Sequence, residues 1–130
     1  MEDLNDISSM IADYMEKGFL ENIIDMFKHD KTLFSYLGGL ITDERGRVRL
    51  GITALVEDLK TDYYTDITPL IPDIADGLTH PNPTVRADAA YLLGIIAHSD
   101  AMPYLKTAVE DETVLPVKEI ILESIEELRQ

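Results

Sequence analysis

The amino-acid sequence predicts an all-α protein of about three stacked helix pairs behind an N-terminal helical cap. Three observations carry that expectation. A motif of polar turn, valine, cation and apolar stripe occurs three times. An apolar stretch precedes each occurrence. The first thirty residues carry helical periodicity without the motif.

The three copies align on Val48, Val85 and Val117. The first runs Asp43-Glu44-Arg45-Gly46-Arg47-Val48-Arg49, then Ile52, Leu55, Val56 and Leu59. The second runs His80-Pro81-Asn82-Pro83-Thr84-Val85-Arg86, then Ala89, Leu92, Leu93 and Ile96. The third has Asp111 to Pro116, Val117-Lys118, then Ile121, Ile125 and Leu128, with Ser124 where the others have leucine. Apolar residues four, eight and eleven positions after a valine share one face of an α-helix. Ahead of the turns lie Leu33, Phe34, Leu37, Leu40 and Ile41, then Leu70, Ile71, Ile74, Ala75 and Leu78, then Met102, Leu105 and Val109. Each unit therefore reads helix, turn, helix, and a neighbouring unit must cover the stripe that one unit cannot bury.

Residues 1–130 form a single domain, with units at 31–60, 66–97 and 101–130. Residues 1–30 form the cap: Leu4, Ile7, Ile11, Tyr14 and Met15 mark one helix closed by Gly18, and Leu20, Ile23, Ile24 and Phe27 mark a second. The interval from Val48 to Val85 exceeds that from Val85 to Val117, and the excess reads as a loop over Thr61–Asp66. Thr68 before Pro69 suits a helix N-cap, although Pro72 follows closely and removes a backbone donor. Gly38 and Gly39, inside an apolar pattern, read as close helix packing or a break, with packing preferred, and Gly94 points to a near approach of the neighbouring helix. The pattern predicts helix over about 65–75% of the chain and essentially no strand.

Composition bounds the partners. Eleven Lys and Arg against 25 Asp and Glu leave a net charge of −14. That charge opposes phosphate backbones, whose binding depends on cationic side chains, and anionic membrane surfaces. It suits a protein or peptide partner with a basic patch, and it also favours solubility. With no cysteine, disulfides and thiolate zinc sites are excluded. The acidic start lacks the basic region of a signal peptide, and no apolar run approaches the roughly 20 residues needed to span a bilayer. A cytoplasmic location is expected.

Residues 82–96, Asn-Pro-Thr-Val-Arg-Ala-Asp-Ala-Ala-Tyr-Leu-Leu-Gly-Ile-Ile, continued by Ala101-Met102-Pro103-Tyr104-Leu105, resemble the HEAT repeat. They are most similar to the short subtype named after phycobilisome lyases. The resemblance covers Leu78–Leu128 closely and Leu33–Leu59 fairly, and does not reach Met1–Lys28. It implies a right-handed α-α superhelix, a HEAT- or armadillo-like solenoid, with the second helix of each unit lining the concave face. It also implies a ladder in which a turn acid meets the arginine after valine. Asp43 with Arg49 fits that ladder. His80 stands where an acid is often found, which leaves Arg86 to Asn82 or a neighbour, and Lys118 replaces the third arginine. Fold alone does not carry lyase chemistry.

No constellation of residues points to catalysis. His29, His80 and His98 are not paired at the helical spacing of a zinc motif, and no serine lies in a nucleophile elbow. No catalytic residue, metal site or cofactor is expected. Asp25, His29 and Asp30 read as a surface helix end. The outward positions of the second helices fall three, six, nine and ten after each valine. They comprise Gly51, Asp88 and Ile120; Ala54, Tyr91 and Glu123; and Glu57, Asp58, Gly94, Ile95, Glu126 and Glu127. Of these, Glu57, Asp58, Asp88, Tyr91, Ile95 and Glu123 are the candidate partner-binding residues, an acidic face around an aromatic anchor. The expected function is a non-enzymatic interaction module or adaptor. The alternative is self-association, as a homodimer, through the C-terminal helix, whose Val117, Ile120, Ile121, Leu122, Ile125 and Leu128 form a wide apolar arc. A lyase or chromophore-loading accessory enzyme ranks last.

Overall fold

The computed structural model describes residues 4–130, with side chains from Ile7 onward. The acidic start, Met1 to Asp3, and the side chain of Leu4 lie outside the described residues. Helix accounts for 82% of the structure, and the described residues contain no strand. The helices are α1 (Leu4–Glu16), α2 (Leu20–His29), α3 (Leu37–Leu40), α4 (Gly46–Leu59), α5 (Tyr64–Ile67), α6 (Ile71–Ala75), α7 (Pro83–Ile96), α8 (Met102–Asp111) and α9 (Leu115–Arg129). Shorter 3₁₀ turns occupy Lys31–Tyr36, Thr68–Leu70, Asp76–Thr79 and Ser99–Ala101.

Helical content exceeds the sequence expectation because segments read as loop or helix start are also wound. The helix Tyr64–Ile67 overlaps the end of the stretch Thr61–Asp66 that reads as a loop. Thr68 does not cap an α-helix; it opens the 3₁₀ turn Thr68–Leu70, and α6 begins at Ile71 with Pro72 in its first turn. Pro69 and Pro72 each lack an N–H, so the chain cannot run one unbroken ladder from Tyr64 to Thr79. Asn82 caps α7, its side chain accepting from the Thr84 N–H at 2.9 Å, with Pro83 at the first helical position where no donor is needed. At the N-terminus Gly18 adopts φ +89°, the left-handed conformation that ends helices and favours glycine.

The core register is the one the valine motif predicts. Val48, Ile52, Leu55, Val56 and Leu59 are buried, as are Val85, Ala89, Leu92, Leu93 and Ile96, and Val117, Ile121, Ser124 and Ile125. Leu128 is half-buried against them. In the N-terminal pair Ile11, Met15, Ile23 and Phe27 are buried, but Tyr14 lies exposed beside Phe19. One contiguous core runs from Ile11 to Ile125. α1 packs on α4, α4 on α7, and α7 on α9, while α3 packs on α6.

Close approach at these junctions uses missing side chains. A Cβ on Gly94 would stand 2.6 Å from the Ser124 Oγ and 3.1 Å from its Cα, and a Cβ on Gly38 would stand 2.6 Å from the Asp73 Cβ. Gly39 has open space where a Cβ would go, so close packing explains Gly38 and Gly94 but not Gly39.

Candidate acidic groove on the second helices

Arginine joins successive layers by one geometry used twice. Arg49 donates from Nη1 to the backbone oxygens of Asp43 and Glu44 at 2.6 and 3.1 Å, and from Nε to Asp88 at 2.7 Å. Arg86 donates from Nη1 to the backbone oxygens of His80 and Pro81 at 2.9 and 3.1 Å. Its Nε and Nη2 reach the two carboxylate oxygens of Glu112 at 2.8 and 2.9 Å. Each guanidinium thus closes its own turn and grips an acid of the following layer, a task suited to its planar fork.

This corrects the expected pairing of Asp43 with Arg49. Arg49 takes the Asp43 carbonyl, while the Asp43 carboxylate accepts from the Arg45 backbone N–H at 2.9 Å and from its Nε at 3.0 Å. Burial raises the Asp43 carboxyl, but the Arg45 hydrogen bonds outweigh it and hold the group below its ordinary value. Arg86 bonds neither to Asn82 nor to a turn acid of its own unit. Hydrogen bonds from Arg86 hold the Glu112 carboxyl below its ordinary value, against the opposing effect of burial.

Two of the positions three after a valine do not look outward as the sequence suggests. They face the preceding layer: Gly51 lies against Met15 of α1 and Asp88 bonds Arg49 of α4. Ile120 packs against the core and lines the groove around Tyr91. A stacked helix needs walls on two flanks, and Gly51 and Asp88 form one of them. Gly94 likewise faces α9 rather than solvent.

Positions six and ten after valine do look outward. Tyr91 is 52% exposed, Glu123 is exposed and Ile95 is half-buried. They line a groove of about 360 Å³ together with Glu57, Lys60, Ile120 and Glu127. Its floor is Gly94 and Ser124, whose Oγ donates to the Ala90 carbonyl at 2.7 Å. Lys60 donates across the groove to the Ile95 carbonyl at 3.3 Å. Of the six candidate residues, Glu57, Tyr91, Ile95 and Glu123 come together here. Asp88 is engaged in the layer junction, and Asp58 is exposed but does not line the groove. The sequence alone does not mark Lys60, which lies beyond the apolar stripe of α4; its reach to α7 depends on how the layers stack. Glu127 stands ten after Val117, beside Glu126, and only the stacking selects it.

A second and larger cavity, about 620 Å³, lies between Asp76–Thr79 and α8. Leu78, Ala75, Pro103, Tyr104 and Ala108 line it, and the Arg86–Glu112 pair borders it. No sequence motif marks it, because it is a gap between first helices rather than a face of one helix.

The histidines serve helix ends. His29 Nδ1 lies 2.8 Å from the Asp25 carbonyl, and the Asp30 carboxylate accepts from the Thr32 N–H at 3.1 Å. His80 Nδ1 accepts from the Asn82 N–H and His98 Nδ1 from the Asp100 N–H, both at 3.0 Å. Among the described residues no three His, Asp or Glu converge as a metal site, and no helix is long and apolar enough to cross a membrane. Compared with models of known protein families, with curated proteins and with solved structures, the chain finds no significant match.

Proposed function

We propose that this protein is a non-enzymatic adaptor, a HEAT-type right-handed superhelix in the cytoplasm that holds a basic protein segment in the groove around Tyr91. The carrying observation is a half-exposed tyrosine set among Glu57, Glu123 and Glu127, with Ile95 and Ile120 beneath. An aromatic ring with apolar support is the usual anchor of an interface, and carboxylates around it select a cationic partner and speed encounter. The repeated arginine geometry supports the repeat reading, since equivalent offsets in two units make equivalent bonds. Ser124, which lines the groove beside these carboxylates, is buried and already bonded to a carbonyl, which favours binding over catalysis.

The test is fluorescence titration against an array of short peptides that pair one or two apolar residues with Lys or Arg. A binding peptide should lose affinity as salt rises, because exposed charges are screened over about 8–10 Å. Tyr91→Ala should weaken it by about tenfold or more, and Glu123→Gln by less. Peptide binding that ignores Tyr91→Ala removes the groove from the proposal.

A further inference from the structure

The acidic groove already holds a cation, and the chain itself supplies it. Lys60 is the C-cap residue of α4 and sends its side chain across to α7. Its ammonium donates to the Ile95 carbonyl at 3.3 Å. Glu57, Glu123 and Glu127 line the same groove. Lys60 nevertheless makes no ion pair among the described residues.

The end of α7 explains this seat. The helix stops at Ile96, and Ala97 follows in the left-handed conformation at φ +56°. That turn gives the Leu93 carbonyl a donor, the Ala97 N–H at 3.1 Å, and leaves the Ile95 carbonyl to Lys60. The last carbonyls of a helix have no partner within it and form the negative end of its dipole. Three carboxylates lining the same groove add to that negative charge. An ammonium or a guanidinium is the group that this combination attracts.

Lys60 holds the seat weakly. Only one of its three donors has a protein partner among the described residues, and that bond is longer than the usual N–H···O range. Ordering so long a side chain also costs rotamer freedom. We infer that Lys60 is a tethered stand-in for the partner's cation, and that an arginine of the basic segment displaces it from the Ile95 carbonyl. Arginine competes best because its planar fork can span a carbonyl and a carboxylate, where Lys60 uses a single donor. Tyr91 then holds the apolar residue beside that arginine. The proposal rests on the adaptor reading of the groove and adds what controls entry to it.

Displacement has a consequence that plain attraction lacks. A seat that must first be vacated lowers the apparent affinity by the fraction of time it stands free. Removing the ammonium lifts that penalty. Lys60→Met keeps an apolar stem to pack on the groove wall and loses only the cation.

Fluorescence titration of the full chain with N-acetylated peptides that set one arginine beside an apolar residue tests the exchange. Lys60→Met should bind about three- to tenfold more tightly than the parent. Lys106→Met removes an equal charge from an exposed position of α8 outside the groove, and should stay within about twofold of the parent. In the parent, acylation of Lys60 followed by mass spectrometry should quicken when peptide is bound, because the displaced ammonium moves into solvent. Tyr91-dependent binding that is no tighter in Lys60→Met than in Lys106→Met overturns the stand-in and leaves the adaptor reading in place. So does acylation of Lys60 that slows or does not change under bound peptide, since the lysine then keeps its seat. Absence of Tyr91-dependent binding in both the parent and Lys60→Met overturns the adaptor reading and the stand-in with it.

Discussion

Arg49 and Asp88, separated by most of two helices in sequence, meet at 2.7 Å across the junction of α4 and α7. The same guanidinium closes the turn ahead of α4 through the carbonyls of Asp43 and Glu44, and its side chain is nearly buried. Arg49→Lys keeps the charge but cannot span these acceptors. We expect a loss of about 1–3 kcal/mol in a urea melt, because part-buried carbonyls lose the donor that bridges them and the nearly buried guanidinium site is left underfilled. Asp88→Asn should cost less, since Asp88 is partly exposed and its oxygen can still accept. A larger loss for Asp88→Asn would move the weight of the junction from the carbonyls to the charge pair.

The Arg86–Glu112 junction predicts a pH effect. The Glu112 side chain is only 4% exposed, and hydrogen bonds from Arg86 hold its carboxyl below the ordinary value of 4.5. A depressed carboxyl stabilises the fold above its unfolded value, and that contribution fades as pH falls through the depressed folded value. The melting temperature should therefore decline on acidification below about pH 4.5. Asp43, held down by Arg45, adds to the same decline. Glu112→Gln should lower stability at neutral pH and flatten the acid limb, measured by thermal melts from pH 7 to 3. An acid limb as steep as the parent's would show that Glu112 does not carry it.

Gly94 and Gly39 should respond oppositely to alanine. Gly94→Ala forces a Cβ onto Ser124 and should cost about 1–3 kcal/mol by overpacking. Ser124→Gly should recover part of that loss, giving a coupling above about 0.5 kcal/mol in a double-mutant cycle. Gly39→Ala meets open space and should gain up to about 1 kcal/mol from reduced chain entropy in the unfolded state. Equal effects at the two sites would contradict the packing described at the α7–α9 junction.

Leu92 lies fully buried in the middle layer. Leu92→Ala should cost about 2–5 kcal/mol by removing apolar contact and leaving a cavity, read from the shift of a chemical melt. A loss below about half a kcal/mol, the range of surface substitutions, would break the register assigned to α7.

Much of this architecture is legible in the sequence, for a local reason. The spacing after Val48, Val85 and Val117 sets the angle of each side chain around its own helix axis, and that angle selects Ile52, Leu92 and Ile121 for the core. Proline and glycine mark the turns by equally local constraints on φ and on backbone donors. In the groove the same arithmetic places Tyr91 and Glu123 on one outward row.

Relations between helices are what only the tertiary structure decided. Periodicity says nothing about how far one helix is rotated or displaced against the next. That rotation turns Asp88 and Gly51 toward the preceding layer rather than outward, and it brings Lys60 over to Ile95. It also gives Arg86 to Glu112, an acid whose position in its turn differs from that of Asp88 in α7. The same packing decides which part of the apolar arc read on α9 is covered: Val117, Ile121 and Ile125 are buried, while Leu122 stays exposed.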